Sequence, residues 1–171
     1  MSTLELPHTP GCLVCGKDNA RGLKLSSHVD PATGIVKVTF VPTKEMIGFE
    51  HLVHGGIVAT VMDEAMVWAA TWNGKRFCVC GELNVRFRRG ARVGETLLVE
   101  ARVEFSRPKL IQTAATMRTP SGGVVAAAEG KYVPMEPDQN DRVMETLVED
   151  ASTQAARALL TGTAAAEQTN E

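Results

Sequence analysis

Apolar and polar positions change rhythm twice along the chain. From Ile35 to Val41 they alternate, which predicts a β-strand, and Pro42 stops it. Thr43 to His54 is irregular and reads as a loop. From Gly56 to about Trp72 nearly every position is apolar. That run predicts a helix buried on all faces rather than an amphipathic one, closed by Asn73 and Gly74. Period two returns at Phe77. Val79, Gly81, Leu83, Val85 and Phe87 alternate with Cys78, Cys80, Glu82, Asn84, Arg86 and Arg88. Leu97, Val99, Ala101, Val103 and Phe105 do the same between Glu95 and Arg107. Two more strands are expected at Lys109 to Thr119 and Val124 to Val133. Breaks at Gly90, Gly94, Pro108 and Pro120 suggest a meander of neighbouring antiparallel strands.

The expected class is α+β: one strand, a long buried helix, then four strands, with a curved antiparallel sheet wrapped around the central apolar helix. Residues 1–33 form an N-terminal lead-in, 34–136 the main domain and 137–171 a C-terminal helix and tail. A helix is expected from Asp141 to Leu160, with Val143, Leu147, Ala151 and Ala155 on one stripe. The last residues, Thr161 to Glu171, read as frayed.

Composition narrows the function classes. The chain has 171 residues, 44% hydrophobic and 22% charged, with a net charge of -2. There is no basic excess of the kind that nucleic acid or an anionic membrane surface attracts. The N-terminal residues do not read as a secretory signal. The longest apolar stretch, Ile57 to Trp72, is short for a membrane span and carries Asp63 and Glu64 near its middle. A cytoplasmic protein is expected. The cysteines are Cys12, Cys15, Cys78 and Cys80. Two close pairs could in principle supply a zinc site, but the C-x-C pair suits a strand better than a zinc knuckle. Reduced thiols, mostly buried, are the preferred reading, with no metal and no cofactor.

The chemistry concentrates in one segment, His51-Leu-Val-His-Gly-Gly-Ile-Val-Ala-Thr-Val-Met-Asp-Glu-Ala-Met66. Gly55 and Gly56 stand where a loop enters the helix. Glycine there lets a ligand approach the backbone, and the first N–H groups of a helix have no internal partner. With the helix dipole they can hold a developing oxyanion. Asp63 and Glu64 are the only charges between Gly55 and Gly74. A buried carboxylate costs several kcal/mol unless it is paired, so at least one of them needs a purpose. Asp63 follows Gly56 by seven residues, about 10 Å along a helix axis. One helix cannot bring both to one carbonyl, so a site that uses both is shared between subunits.

The motif H-G-G-I-V-A-T-V-M-D-E-A at 54–65 resembles the hotdog-fold thioesterases of the phenylacetate-pathway type. C-L-V-C-G-K-D-N-A-R-G-L at 12–23, L-N-V-R-F-R-R at 83–89 and F-S-R-P-K-L at 105–110 carry the resemblance through residues 12 to 134. It implies a hotdog fold and hydrolysis of an acyl-CoA thioester to free acid and coenzyme A by a dimer or tetramer. It further implies that Asp63 is the general base or the nucleophile, that Gly56 with Gly55 polarises the carbonyl, and that His54 positions the loop. Glu64, about 100° round the helix from Asp63, is the second choice of acid. Arg86, Arg88 and Arg89 at one strand end, and Arg107 and Lys109 at the next turn, are candidates for the coenzyme A phosphates. Many relatives place Asn or Gln about a turn before H-G-G; here Ile47 and Gly48 stand there. Two alternatives are a non-catalytic acyl-CoA-binding hotdog protein and a hotdog hydratase or dehydratase using His51 or His54. The first is disfavoured by the lack of a basic helix pair for DNA, the second by the spacing of Asp63 from the glycines.

Overall fold

The computed structural model describes residues 3–148 and 150–162. A seven-stranded antiparallel sheet curves around one long helix. In chain order the strands are β1 (Leu4–Glu5), β2 (Ser27–Val29), β3 (Val36–Phe40), the small hairpin β4 (Ile47–Phe49) and β5 (Leu52–Val53), then β6 (Cys78–Phe87), β7 (Leu97–Arg107), β8 (Leu110–Arg118) and β9 (Val124–Pro134). Helix α1 (Gly55–Gly74) lies between β5 and β6. The expected class and its central apolar helix are therefore present. Val61, Met62, Ala65, Met66, Ala69 and Ala70 are fully enclosed by the sheet, as their all-round apolar pattern requires.

Three expectations are corrected. The four long strands do not form a simple meander. β7, β8 and β9 are neighbours, but β6 pairs with β9 at one edge, giving the order β1-β2-β3-β7-β8-β9-β6. The chain reaches that edge because α1 crosses the sheet before β6 begins. The lead-in is also part of the domain: β1 and β2 extend the sheet beyond β3, and Leu6, Val14, Leu25 and Val29 join its core. Finally, the C-terminal helix is two short ones, α2 (Pro137–Glu145) and α3 (Gln154–Thr161). Pro137 starts the first, and the Asp150 carbonyl and carboxylate organise the turn before the second. The frayed tail expected after Thr161 falls mostly on residues 163–171, outside the described residues.

The alternation along β6 also changes sense midway. A bulge between Cys80 and Glu82, at Gly81, shifts the register. Cys80 pairs with Tyr132, Leu83 with Gly130 and Phe87 with Ala126, so Cys80, Leu83, Val85 and Phe87 share the helix-side face, while Val79 faces out. α1 does not cover that edge: Leu83 is 36% and Phe87 54% exposed. Helix α1 ends at Lys75 in the left-handed conformation rather than at Gly74. Gly74 stays helical and is small for another reason: a Cβ there would lie 2.8 Å from Ile111 Cδ1.

Candidate functional site

The loop before α1 sets the helix entrance. Glu50, at φ 47°, turns the β4–β5 hairpin, and the His54 N–H bonds the Met46 carbonyl. His54 is then the N-cap, with Nδ1 accepting the Gly56 N–H at 3.0 Å. Its expected role in positioning the loop has this bond as its physical form. The same bond occupies the Gly56 donor that the sequence assigns to a carbonyl. A Cβ at Gly56 would lie 2.9 Å from His54 Nδ1, so a larger residue would push the imidazole out of its capping position. Gly55 lies beside the Phe87 ring. His54, Gly55 and Gly56 all face solvent, so this helix end stands open.

Two turns on, Asp63 is half-buried. Its Oδ1 accepts a 2.7 Å hydrogen bond from the Tyr132 hydroxyl on β9. Tyr132 is fully buried. Its ring lies along the sheet over Gly130, where a Cβ would sit 2.6 Å from Cε2. Burial, and then the neighbouring Asp63 carboxylate, hold the phenol protonated far above its usual range. Tyr132 is therefore a permanent donor. Cys80, directly across the ladder from Tyr132, completes the group. Its thiol is raised by burial and by the Asp63 charge and hydrogen bond. The sequence reading missed Tyr132 and left Cys80 as a plain strand thiol. The available signal was the single tyrosine of the chain, two residues after a glycine in a strand.

Glu64 does not join this group. It points to a different side of α1, 9% exposed, where Oε1 accepts the Trp68 Nε1–H at 3.0 Å and the Cys15 thiol is its other neighbour. Burial raises its carboxyl, partly offset by Cys15 and Trp68. Cys15 is raised as well, by burial first and then by Glu64. Cys78 is buried under Thr71, its thiol pushed up to about 11 by burial. The two cysteine pairs thus lie in separate places and do not form one site.

The candidate cations are scattered. Arg86 and Arg88 stand with Arg102 in a cleft on the sheet's outer face. Arg89 is held by Glu95 at 2.6 Å. Arg107 stacks on the Phe105 ring, and Lys109 lies in the β7–β8 turn. Following the register from Arg86 through Ala127 to Thr116, that turn is some six residues further along β8, roughly 20 Å away. Within one chain these five residues make no single phosphate cradle. No helix among the described residues is long and apolar enough to cross a membrane.

A curved antiparallel sheet around an apolar helix, entered at H-G-G and carrying an acid two turns later, defines a hotdog domain. Residues 50–126 match the family model described as the thioesterase superfamily. A solved thioesterase superfamily protein is similar at 26% identity and TM-score 0.66, over 72% of this chain and 60% of that one. This chain thus spans less than two thirds of that relative. The Escherichia coli PaaI protein from the phenylacetic acid degradation operon is 23% identical, TM-score 0.57, over 61% of this chain and 75% of that one. A Streptococcus mutans protein solved bound to acetyl CoA is 19% identical, TM-score 0.57, over 60% and 82%. No curated protein matches the chain.

Proposed function

We propose that this protein is an acyl-CoA thioesterase in which Asp63 is the reacting acid. The observation that carries the reading is the Tyr132–Asp63 bond of 2.7 Å. A half-buried acid in an apolar helix is held in one orientation by a phenol that stays protonated, which leaves its second oxygen for chemistry. Asp63 takes a proton from water as the water oxygen attacks the thioester carbonyl. The carbonyl oxygen becomes an oxyanion, the C–S bond then breaks, and the proton passes to the departing coenzyme A sulfur. In the alternative course Asp63 attacks the carbonyl itself, the C–S bond breaks as coenzyme A leaves and takes up a proton, and water hydrolyses the resulting anhydride to free acid and the Asp63 carboxylate.

The oxyanion is held at the entrance of a helix from a second subunit. The Gly55 N–H serves directly, and the Gly56 N–H once it leaves His54 Nδ1. This assigns the protein a dimer or larger assembly. The exposed helix-side face of the β6 edge strand supports it, as an unpaired edge beside uncovered apolar side chains invites pairing. Arg86, Arg88, Arg107 and Lys109 remain candidates for the coenzyme A phosphates, with contributions from both subunits.

The test is hydrolysis of a series of acyl-CoA thioesters by the full chain. Asp63→Ala and Asp63→Asn are each expected to lower kcat by about 10²–10⁴-fold, the range of a lost general base. Undiminished turnover in both variants overturns the assignment, and tight binding of every thioester without turnover favours a non-catalytic acyl-CoA binder. Single-turnover hydrolysis in ¹⁸O-water identifies the covalent course when water opens the anhydride at the Asp63 carboxyl carbon, which puts label into the protein.

A further inference from the structure

We propose that Cys12, Cys15 and Glu64 form a zinc-type metal site that staples the N-terminal segment to α1. It is separate from the Asp63 site and does not depend on the function proposed above. The two sulfurs and a Glu64 oxygen all lie within 4.8 Å of one another. A tetrahedral zinc ion with sulfur bonds of about 2.3 Å needs its sulfurs roughly 3.8 Å apart. Small side-chain rotations bring the three ligands to that spacing.

The backbone around the Cys12 sulfur is shaped for a thiolate. The N–H groups of Val14 and Cys15 both aim at Cys12 Sγ, at 3.3 and 3.4 Å. Two converging donors suit a sulfur anion better than a thiol. The turn closes with the Gly16 N–H on the Cys12 carbonyl at 3.2 Å. A Cβ on Gly16 would lie 2.5 Å from the carbonyl oxygens of Cys12 and Pro10, so the C-x-x-C-G order is a requirement of this turn. The Asn19 amide bonds the Gly11 and Cys12 carbonyls, and Leu23 and Leu25 pair with Leu13 and Val14. The knuckle is thereby built before any ion arrives.

Glu64 supplies the second, independent reason. It is a carboxylate buried in an apolar helix, and no salt bridge compensates it among the described residues. A divalent cation provides the missing charge. Thiolate ligands select zinc and related borderline metals over magnesium and calcium. Two cysteines and one carboxylate leave a fourth position, which solvent fills from the partly exposed Cys12 side. On binding, both thiols release their protons to solvent and no redox step occurs. The ion ties residues 12–15 to the residue next to Asp63 and fixes the rotation of the helix that presents it.

The experiment is zinc content and zinc titration of the reduced, full-length protein, with cobalt(II) as the spectroscopic probe. The expected result is one ion per chain, a sulfur-to-cobalt charge-transfer band, and a higher Tm with zinc than after chelation. Glu64→Gln is expected to weaken zinc binding at least about tenfold while keeping the cobalt–sulfur band. The double variant Cys78→Ser/Cys80→Ser should bind as the parent does. The wild-type measurements need no variant to fold, so the proposal stands or falls on them first. Protein that stays zinc-free in excess zinc overturns it, as does a Cys12–Cys15 disulfide that persists under mild reduction. Binding lost with Cys78 and Cys80, or unchanged in Glu64→Gln, overturns this ligand set.

Discussion

At the scale of single residues, the informative contact is between Tyr132 and Asp63. Removing the phenol oxygen leaves the ring and its packing in place but frees the carboxylate to rotate. Tyr132→Phe should therefore lower kcat by roughly ten- to a hundredfold with little change in KM, and cost about 1–2 kcal/mol in stability. Steady-state kinetics and denaturant unfolding check the two parts. Cys80 offers a second readout of the same charge. Burial and Asp63 both raise its thiol, so at neutral pH it should alkylate slowly despite its exposure. The sign is fixed by the neighbour: replacing Asp63 with Asn removes the negative charge, lowers the thiol and raises the thiolate fraction. Peptide-level mass spectrometry across a pH series should show Cys80 of Asp63→Asn reacting severalfold faster than in the parent below the thiol's titration. An unchanged profile would separate Cys80 from the Asp63 group.

At the scale of elements, two glycines mark where the helix and the sheet approach each other, and they should respond differently. At Gly74 an added methyl meets Ile111 Cδ1, the end of a flexible side chain. It also gains up to about 1 kcal/mol of helix propensity, so Gly74→Ala should be close to neutral. At Gly130 the same methyl meets the ring that bonds Asp63. The ring cannot yield without moving its hydroxyl. Gly130→Ala should cost about 1–3 kcal/mol and reduce turnover in the same protein. Thermal unfolding and kinetics on the pair test this; equal losses at both positions would contradict it. The bulge at Gly81 belongs to this scale too. It turns Leu83, Val85 and Phe87 to the helix side while keeping Cys80 beside Tyr132, which an uninterrupted strand could not do.

At the scale of the whole molecule, the proposed site needs a second chain. The helix entrance and Asp63 are two turns apart on one rod, and the apolar β6 face near that entrance is bare. Leu83→Lys and Phe87→Lys place charge on this face without touching Asp63 or Tyr132. Each should shift the protein toward monomer in size-exclusion chromatography with light scattering. Activity should fall with the oligomer while the circular dichroism spectrum stays native. A fully active monomer would remove the shared site.

The amino-acid pattern alone determined β3, the four long strands β6 to β9 and the helix, and it singled out Asp63 as a candidate; the β4–β5 hairpin lies in the segment that reads as a loop. Each is a local property: alternation marks a half-buried strand, an all-round apolar run marks a core helix, and an acid in such a run is costly. Tertiary structure alone decided which strand lies beside which, and so put β6 at an edge beside β9. It also decided what Asp63 and Glu64, adjacent in sequence and about 100° apart on α1, each meet: one Tyr132, the other Cys15. Neither partner could be read from spacing. Tyr132 lies in the last strand and Cys15 before the first long one, and only closure of the sheet around the helix brings them to the same turn.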